Sequence, residues 1–118
     1  LYEYCRRLSL KQPLKRSSVT TALQDIHDFP GMTVADCKGF GKEKGKEGQH
    51  RIIEDLIDYI PKVRIEIMLN DDMVDKVVET ISKAAHTGNQ GDGKIFVYDI
   101  ERAVRIRTFE YEKEACDV

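Results

Sequence analysis

The sequence predicts an α+β sandwich in which two helices cover one face of an antiparallel sheet. Two segments have helical period, around residues 18–26 and 74–85, and four have strand period, at 32–39, 63–69, 94–98 and 104–108. With a fainter strand at the start, all but the last of them follow the order strand, helix, strand, strand, helix, strand. A chain of 118 residues, 41% hydrophobic and 34% charged, is the size of a single domain (residues 1–118) around one core.

The first strand is the least marked, because only Leu8 and Leu10 alternate and Lys11, Gln12 and Pro13 follow directly. Residues 1–7 are read as partly disordered or atypical. Val19, Ala22, Leu23 and Ile26 then share one helical face, with Ser17 or Ser18 placed to cap the helix start. Met32 and Val34 open a strand that runs to Gly39. Val63, Ile65, Ile67 and Leu69 alternate strictly with Arg64, Glu66 and Met68. For the second helix, Asp71 and Asp72 are expected to cap the positive end of the dipole, and Val74, Val77, Val78, Ile81 and Ala85 form its apolar stripe. It should stop near His86, before Gly88. Residues 94–98 are β-branched and aromatic, and residues 104–108 repeat the alternation with Arg105 and Arg107 on one face. This order is the ferredoxin-like split βαβ pattern. Met68, Phe96 and Tyr98 point to the face without helices, so self-association with closed cyclic symmetry is expected.

Composition narrows the function. Nineteen Lys and Arg against 21 Asp and Glu leave a net charge of -2, which argues against a domain whose main task is neutralising nucleic-acid phosphates. No apolar run approaches the roughly 20 residues of a membrane span, and no apolar stretch follows the basic N-terminal residues as in a signal peptide, so a cytoplasmic protein is expected. Cys5, Cys37 and Cys116 are widely spaced, form no Cys-x-x-Cys pair, and are expected to be reduced thiols.

Two loops exceed structural need. Residues 42–60 join two strands that far fewer residues could connect, and begin with alternating Lys, Glu and Gly, which suits a protruding arm that contacts a protein partner. The second loop is Thr87-Gly88-Asn89-Gln90-Gly91-Asp92-Gly93-Lys94. Its glycines let backbone N–H groups approach an anion, Lys94 adds a charge and Thr87 a hydroxyl. It is no Walker A site: Ile95 follows the lysine, and the loop leads from a helix into a strand. Arg105 and Arg107, projecting from one strand face, would add two forks suited to phosphate oxygens. A plain glycine-rich turn and a solvated strand face are the structural alternatives.

Several segments together resemble the PII-type nitrogen regulatory proteins: Gly31-Met32-Thr33-Val34, Lys38-Gly39-Phe40-Gly41, Pro61-Lys62-Val63-Arg64-Ile65-Glu66, residues 87–97 and Val104-Arg105-Ile106-Arg107-Thr108. The resemblance spans about residues 13–110. It implies a homotrimer of ferredoxin-like subunits with ATP or ADP in the clefts between neighbours. Gly91, Asp92, Gly93 and Lys94 would wrap the phosphates, and Arg105 and Arg107 would reach them from the adjoining subunit. Thr33, Gly39, Phe40, Gly41 and Met68 would line the nucleotide, with Lys42 near its terminal phosphate in place of the usual arginine. The implied effector is 2-oxoglutarate, held through Mg²⁺ and ATP, with Lys62 pairing a ligand carboxylate. The usual Mg²⁺-coordinating glutamine is Glu43 in this chain, which can ligate the cation but sets a negative charge beside a dicarboxylate. The tyrosine and serine that are covalently modified in other members align with Asp55 and Ile53, so ligand binding alone would regulate this chain.

Two other readings compete. Asp36-Cys37-Lys38-Gly39-Phe40-Gly41 and Ala85-His86-Thr87-Gly88-Asn89 are similar to a PII-like branch associated with heavy-metal efflux or other transporters, where Cys37, His50 or His86 would be the metal candidates. An enzyme has the least support, since no Ser/His/Asp or Cys/His arrangement is present.

Overall fold

Residues 5–13, 18–40, 59–89 and 91–116 are described by a computed structural model, and the strand the sequence marks most faintly is central to the sheet. Strand β1 (Cys5–Pro13) pairs antiparallel with β3 (Ile60–Asn70) on one side and with β4 (Ile95–Asp99) on the other. Strand β2 (Thr33–Gly39) adds outside β3, giving the order β2-β3-β1-β4. The expectation of an atypical stretch at residues 1–7 is therefore corrected for Cys5, Arg6 and Arg7, which pair with Asn70, Leu69 and Met68. A strand hydrogen-bonded on both sides draws its order from its neighbours, so weak alternation in its own sequence is no obstacle. Residues 1–4 lie outside the described residues.

Helix α1 (Ser18–Gln24) and helix α2 (Val74–Ala85) lie together over one sheet face. Val19 and Leu23 from α1 meet Val77, Ile81 and Ala85 from α2 above Leu8, Leu10, Ile65, Ile67 and Leu69, and these ten residues form the core. Removing such side chains from water is the main stabilising term of the fold. The apolar stripes read from period thus find their places, although α1 ends before Ile26, whose N–H donates to the Leu23 carbonyl at 3.1 Å.

The predicted cap at Asp71 and Asp72 differs from the structure. A 3-10 turn, Asp71–Met73, precedes α2, and no side-chain cap bond forms. Asp71 instead accepts a 2.9 Å bond from Arg6 Nε, because Arg6 stands opposite Leu69, two residues before it. Ser18 Oγ donates to the Ala84 carbonyl at 3.1 Å, tying the start of α1 to the end of α2. Ser17 lies outside the described residues.

The last predicted strand is also corrected. Residues 104–108 do not join the sheet. Val104 makes an isolated bridge to Tyr111, the Arg105 N–H donates to the Glu110 carbonyl at 2.8 Å, and Phe109 turns the chain with φ 58°. Pairing within this hairpin uses the groups a sheet ladder would need. A short helix α3 (Glu112–Cys116) follows and packs against β1 and β3. There Cys116 is bonded to Cys5, so two of the three expected free thiols form a disulfide across 111 residues; Cys37 remains free. Their spacing in sequence conceals a Cα separation of 6.2 Å that only the fold creates.

The face opposite the helices carries Met68, Phe96 and Tyr98, all well exposed as expected. Arg7 stacks on it, its guanidinium carbon 4.3 Å from the centre of the Tyr98 ring.

Candidate functional site

The loop between α2 and β4 is organised by its own aspartate. Asp92 Oδ2 accepts from the Thr87 N–H at 2.7 Å and the Gly88 N–H at 2.9 Å, while Oδ1 takes the Thr87 hydroxyl. That hydroxyl oxygen in turn accepts from the Asn89 N–H at 3.1 Å. The carboxylate thus turns inward onto the N–H groups that follow the end of α2 and does not point out toward an anion. Gly88, Gly91 and Gly93 have φ of 84°, 97° and 94°, where a side chain is strained. In front of Gly91, as in front of Gly39, there is open space where a Cβ would stand, so bare backbone faces outward at both. Lys94 is exposed beside them. Inward carboxylate, outward glycine backbone and an exposed ammonium are the arrangement a phosphate needs.

Gln12 supports this loop from β1. It is buried, and its Nε2 donates to the Asp92 carbonyl at 3.1 Å. Gly93 lies so close to β1 that a Cβ would stand 2.7 Å from the Lys11 carbonyl oxygen. A cleft of about 300 Å³ runs behind the loop, between β1, β4 and α2, and is lined by Leu10, Gln12, Ile81, His86 and Lys94 among others. Asp92→Asn should keep the shape but replace a charged acceptor by a neutral one. We expect a loss of about 1–2 kcal/mol and faster amide exchange at Thr87 and Gly88, read by a melting curve and hydrogen exchange.

The candidate residues divide between two ends of the sheet. Gly39 pairs with Ile60, Lys62 with both Cys37 and Pro13, and Ile95 with Leu10, so Gly39, Phe40, Lys62 and the 87–94 loop share one end. Thr33 pairs with Glu66, level with Ser9 and Phe96 in the middle of the sheet, and Met68 lies two residues further on, toward the other end. Six residues of strand separate Gly39 from Thr33 and Lys62 from Met68, a distance of about 20 Å. The hairpin with Arg105 and Arg107 stands at the Met68 end, where the disulfide joins α3 to Cys5. Arg105 is held there: its Nη2 donates to the Glu114 carbonyl at 3.1 Å, and Nη1 lies 3.8 Å from Glu110 Oε1. Arg107 is exposed at the turn, so the two arginines do not share the strand face that their alternation suggested.

Gly41, Lys42 and Glu43 lie outside the described residues, with the rest of the predicted arm up to residue 58. Its base is described. Tyr59 meets Phe40 edge-on, ring centres 5.8 Å apart, and Ile60, assigned to the arm from sequence, is already part of β3. Among the metal candidates, Cys37 is half-buried on β2 and His86 is exposed, 3.9 Å from Asp92; His50 is outside the described residues. Among the described residues, no three His, Cys, Asp or Glu side chains cluster as a metal site.

Sequence reasoning treated Asp92 only as a residue along the phosphates and missed its part in shaping the loop. The signal was present: an aspartate within reach of the N–H groups just past a helix end, flanked by glycines, commonly binds its own backbone. Gln12 had a signal too, since it continues the parity of Leu8 and Leu10 into the core.

Residues 10–110 match the family model described as nitrogen regulatory protein P-II. A nitrogen regulatory protein P-II from Pasteurella multocida is 45% identical over 104 residues, 88% of this chain and 92% of that protein. Nitrogen regulatory protein P-II 1 of Escherichia coli K12 is 47% identical over the same shares. Among solved structures, Arabidopsis thaliana PII bound to citrate aligns with a TM-score of 0.75 at 31% identity, over 98% of this chain and 92% of that one.

Proposed function

Because the chain belongs to the nitrogen regulatory protein P-II family, we propose that it is a signal protein that binds ATP or ADP in clefts between copies of itself. It then regulates a partner enzyme, transporter or regulator of nitrogen metabolism. The observation that carries this reading is the division of the candidate residues. Gly39, Phe40, Lys62 and the 87–94 loop stand toward one end of the sheet, and Met68 and the Arg105 hairpin toward the other, with Met68 about 20 Å from Lys62 along β3 and Thr33 level with the middle of β3. A site that uses both sets is built where one end of a subunit meets the opposite end of its neighbour. A ring of three subunits joined head to tail by such contacts closes on itself and repeats the cleft at each contact. The exposed apolar residues Met68, Phe96 and Tyr98 on the sheet face would be covered in the same assembly.

Within the cleft, the Gly91 and Gly93 backbone and Lys94 receive the phosphates, with Thr87 and Asp92 holding the loop. Gly41 and Lys42 continue the phosphate side, and Arg105 and Arg107 approach from the neighbouring subunit. Glu43 would hold Mg²⁺, which would offset the phosphate charge, and Lys62 would pair a carboxylate of 2-oxoglutarate. The citrate bound to the Arabidopsis relative supports a carboxylate effector. Residues 42–59 would serve as the segment whose arrangement the ligands set and the partner reads. A ligand moves that equilibrium only by its differential affinity for the two arm arrangements. The chain acts by binding rather than catalysis, in the cytoplasm.

Calorimetry of the purified oligomer with ATP and with ADP, each with and without Mg²⁺ and 2-oxoglutarate, tests the reading. ATP should bind, and 2-oxoglutarate should bind only when Mg-ATP is present. Nucleotide binding without any 2-oxoglutarate response would mean that Glu43 has removed the effector site and left an adenylate sensor. No nucleotide binding would overturn the proposal.

A further inference from the structure

We infer that the Cys5–Cys116 disulfide is a redox-operated tie that positions the Arg105 hairpin and thereby sets nucleotide affinity; the second half rests on the proposed cleft. Among the described residues from Glu101 onward, Cys116 alone is buried. Val104, Ile106, Phe109 and Tyr111 are all exposed, so apolar burial does little to hold this segment to the body. Helix α3 has five residues, too few to persist unaided. The segment braces itself internally. The Glu112 N–H donates to the Ala103 carbonyl at 2.8 Å, Glu112 Oε2 accepts from the Ala103 N–H at 3.3 Å, and Arg105 reaches the Glu114 carbonyl at 3.1 Å. What fastens that unit to the sheet covalently is the bond from Cys116 to Cys5, which stands on the central strand opposite Asn70.

Both cysteines are buried, and a surface cleft leads toward Cys116. Cys116 lines a surface cleft of about 410 Å³ with His27, Asp28, Pro30, Asp72 and Met73. A dithiol reductant entering there would act by exchange. One of its thiolates attacks Cys116 Sγ, the S–S bond breaks, and Cys5 leaves as a thiolate that takes a proton. The reductant's second thiol then attacks the mixed disulfide and frees Cys116 as a thiol. Two electrons and two protons have passed to the protein, and the reductant has become a disulfide. In a reducing compartment, where structural disulfides are rare, such a bond between the two ends of a domain is suited to sensing. Opening it releases α3, and Arg105 loses its fixed approach.

The test compares the oxidised protein with the same protein treated with dithiothreitol. Thiol titration should rise from Cys37 alone to all three cysteines. Hydrogen exchange across residues 103–116 should accelerate, and ATP affinity should fall about tenfold, within the usual range of coupling between two sites. Cys116→Ser should behave as the reduced protein with or without the reductant. Unchanged exchange in residues 103–116 on reduction would overturn the tie. Faster exchange with unchanged ATP affinity would overturn its control of the cleft. If neither form binds ATP, the nucleotide reading fails and exchange alone decides the tie.

Discussion

Gly93→Ala is expected to destabilise the protein by about 2–6 kcal/mol and to abolish tight ATP binding. Two effects combine. Gly93 has φ 94°, a conformation that costs a residue with a Cβ about 1–3 kcal/mol. The added methyl would also stand 2.7 Å from the Lys11 carbonyl oxygen, which is backbone of the central strand and cannot step aside as a side chain would. Crowding of that kind typically costs about 1–3 kcal/mol more. Gly91→Ala separates the two effects, because Gly91 has φ 97° but open space in front of it. Thermal unfolding should place Gly93→Ala roughly 10 °C or more below the unsubstituted protein, with Gly91→Ala between them. If the two variants melt together, the close approach to β1 does not restrict the loop.

On the proposed cleft, Lys94→Ala should weaken ATP binding about 10–100-fold while the oligomer persists, since a hydrogen bond to a charged group is worth about 1.5–3 kcal/mol. Arg107→Ala should act in the same direction from the other end of the sheet. Mixing the two variants is more informative than either alone. If Lys94 of one subunit faces Arg107 of its neighbour, mixed oligomers contain some clefts in which both residues are intact, and that fraction of tight sites returns in calorimetry. A cleft within one chain would regain none. Unchanged affinity in both single variants would remove Lys94 and Arg107 from the site.

How much of this was legible beforehand depended on where the information lay. Period marked both helices and β3, because each has one face in the core and one outside, and burial writes itself into alternation, whereas β4, mostly exposed, was marked by its β-branched and aromatic residues. The glycine loop was legible for a similar local reason, as glycines between a helix end and a strand announce backbone that needs positive φ. Arg105 and Arg107 misled, because alternation over residues 104–108 looks like a strand whether or not a sheet edge accepts it. Here Glu110 and Tyr111 supply the pairing instead, and the chain turns back on itself. The predicted cap at Asp71 failed on similar grounds. A helix dipole competes for that carboxylate with Arg6, which is distant in sequence and adjacent across the sheet.

The residue string by itself determined the fold class, the order of its elements, the family and the loop suited to an anion, since all of these rest on period, turn chemistry and short motifs between near neighbours. Only the tertiary structure decided that the faint first strand is central, that Cys5 and Cys116 are joined, that Asp92 faces inward, and that Lys62 and Met68 stand toward opposite ends of the sheet. Those facts depend on pairing register and on contacts between residues tens of positions apart, where no local pattern specifies which distant group will arrive.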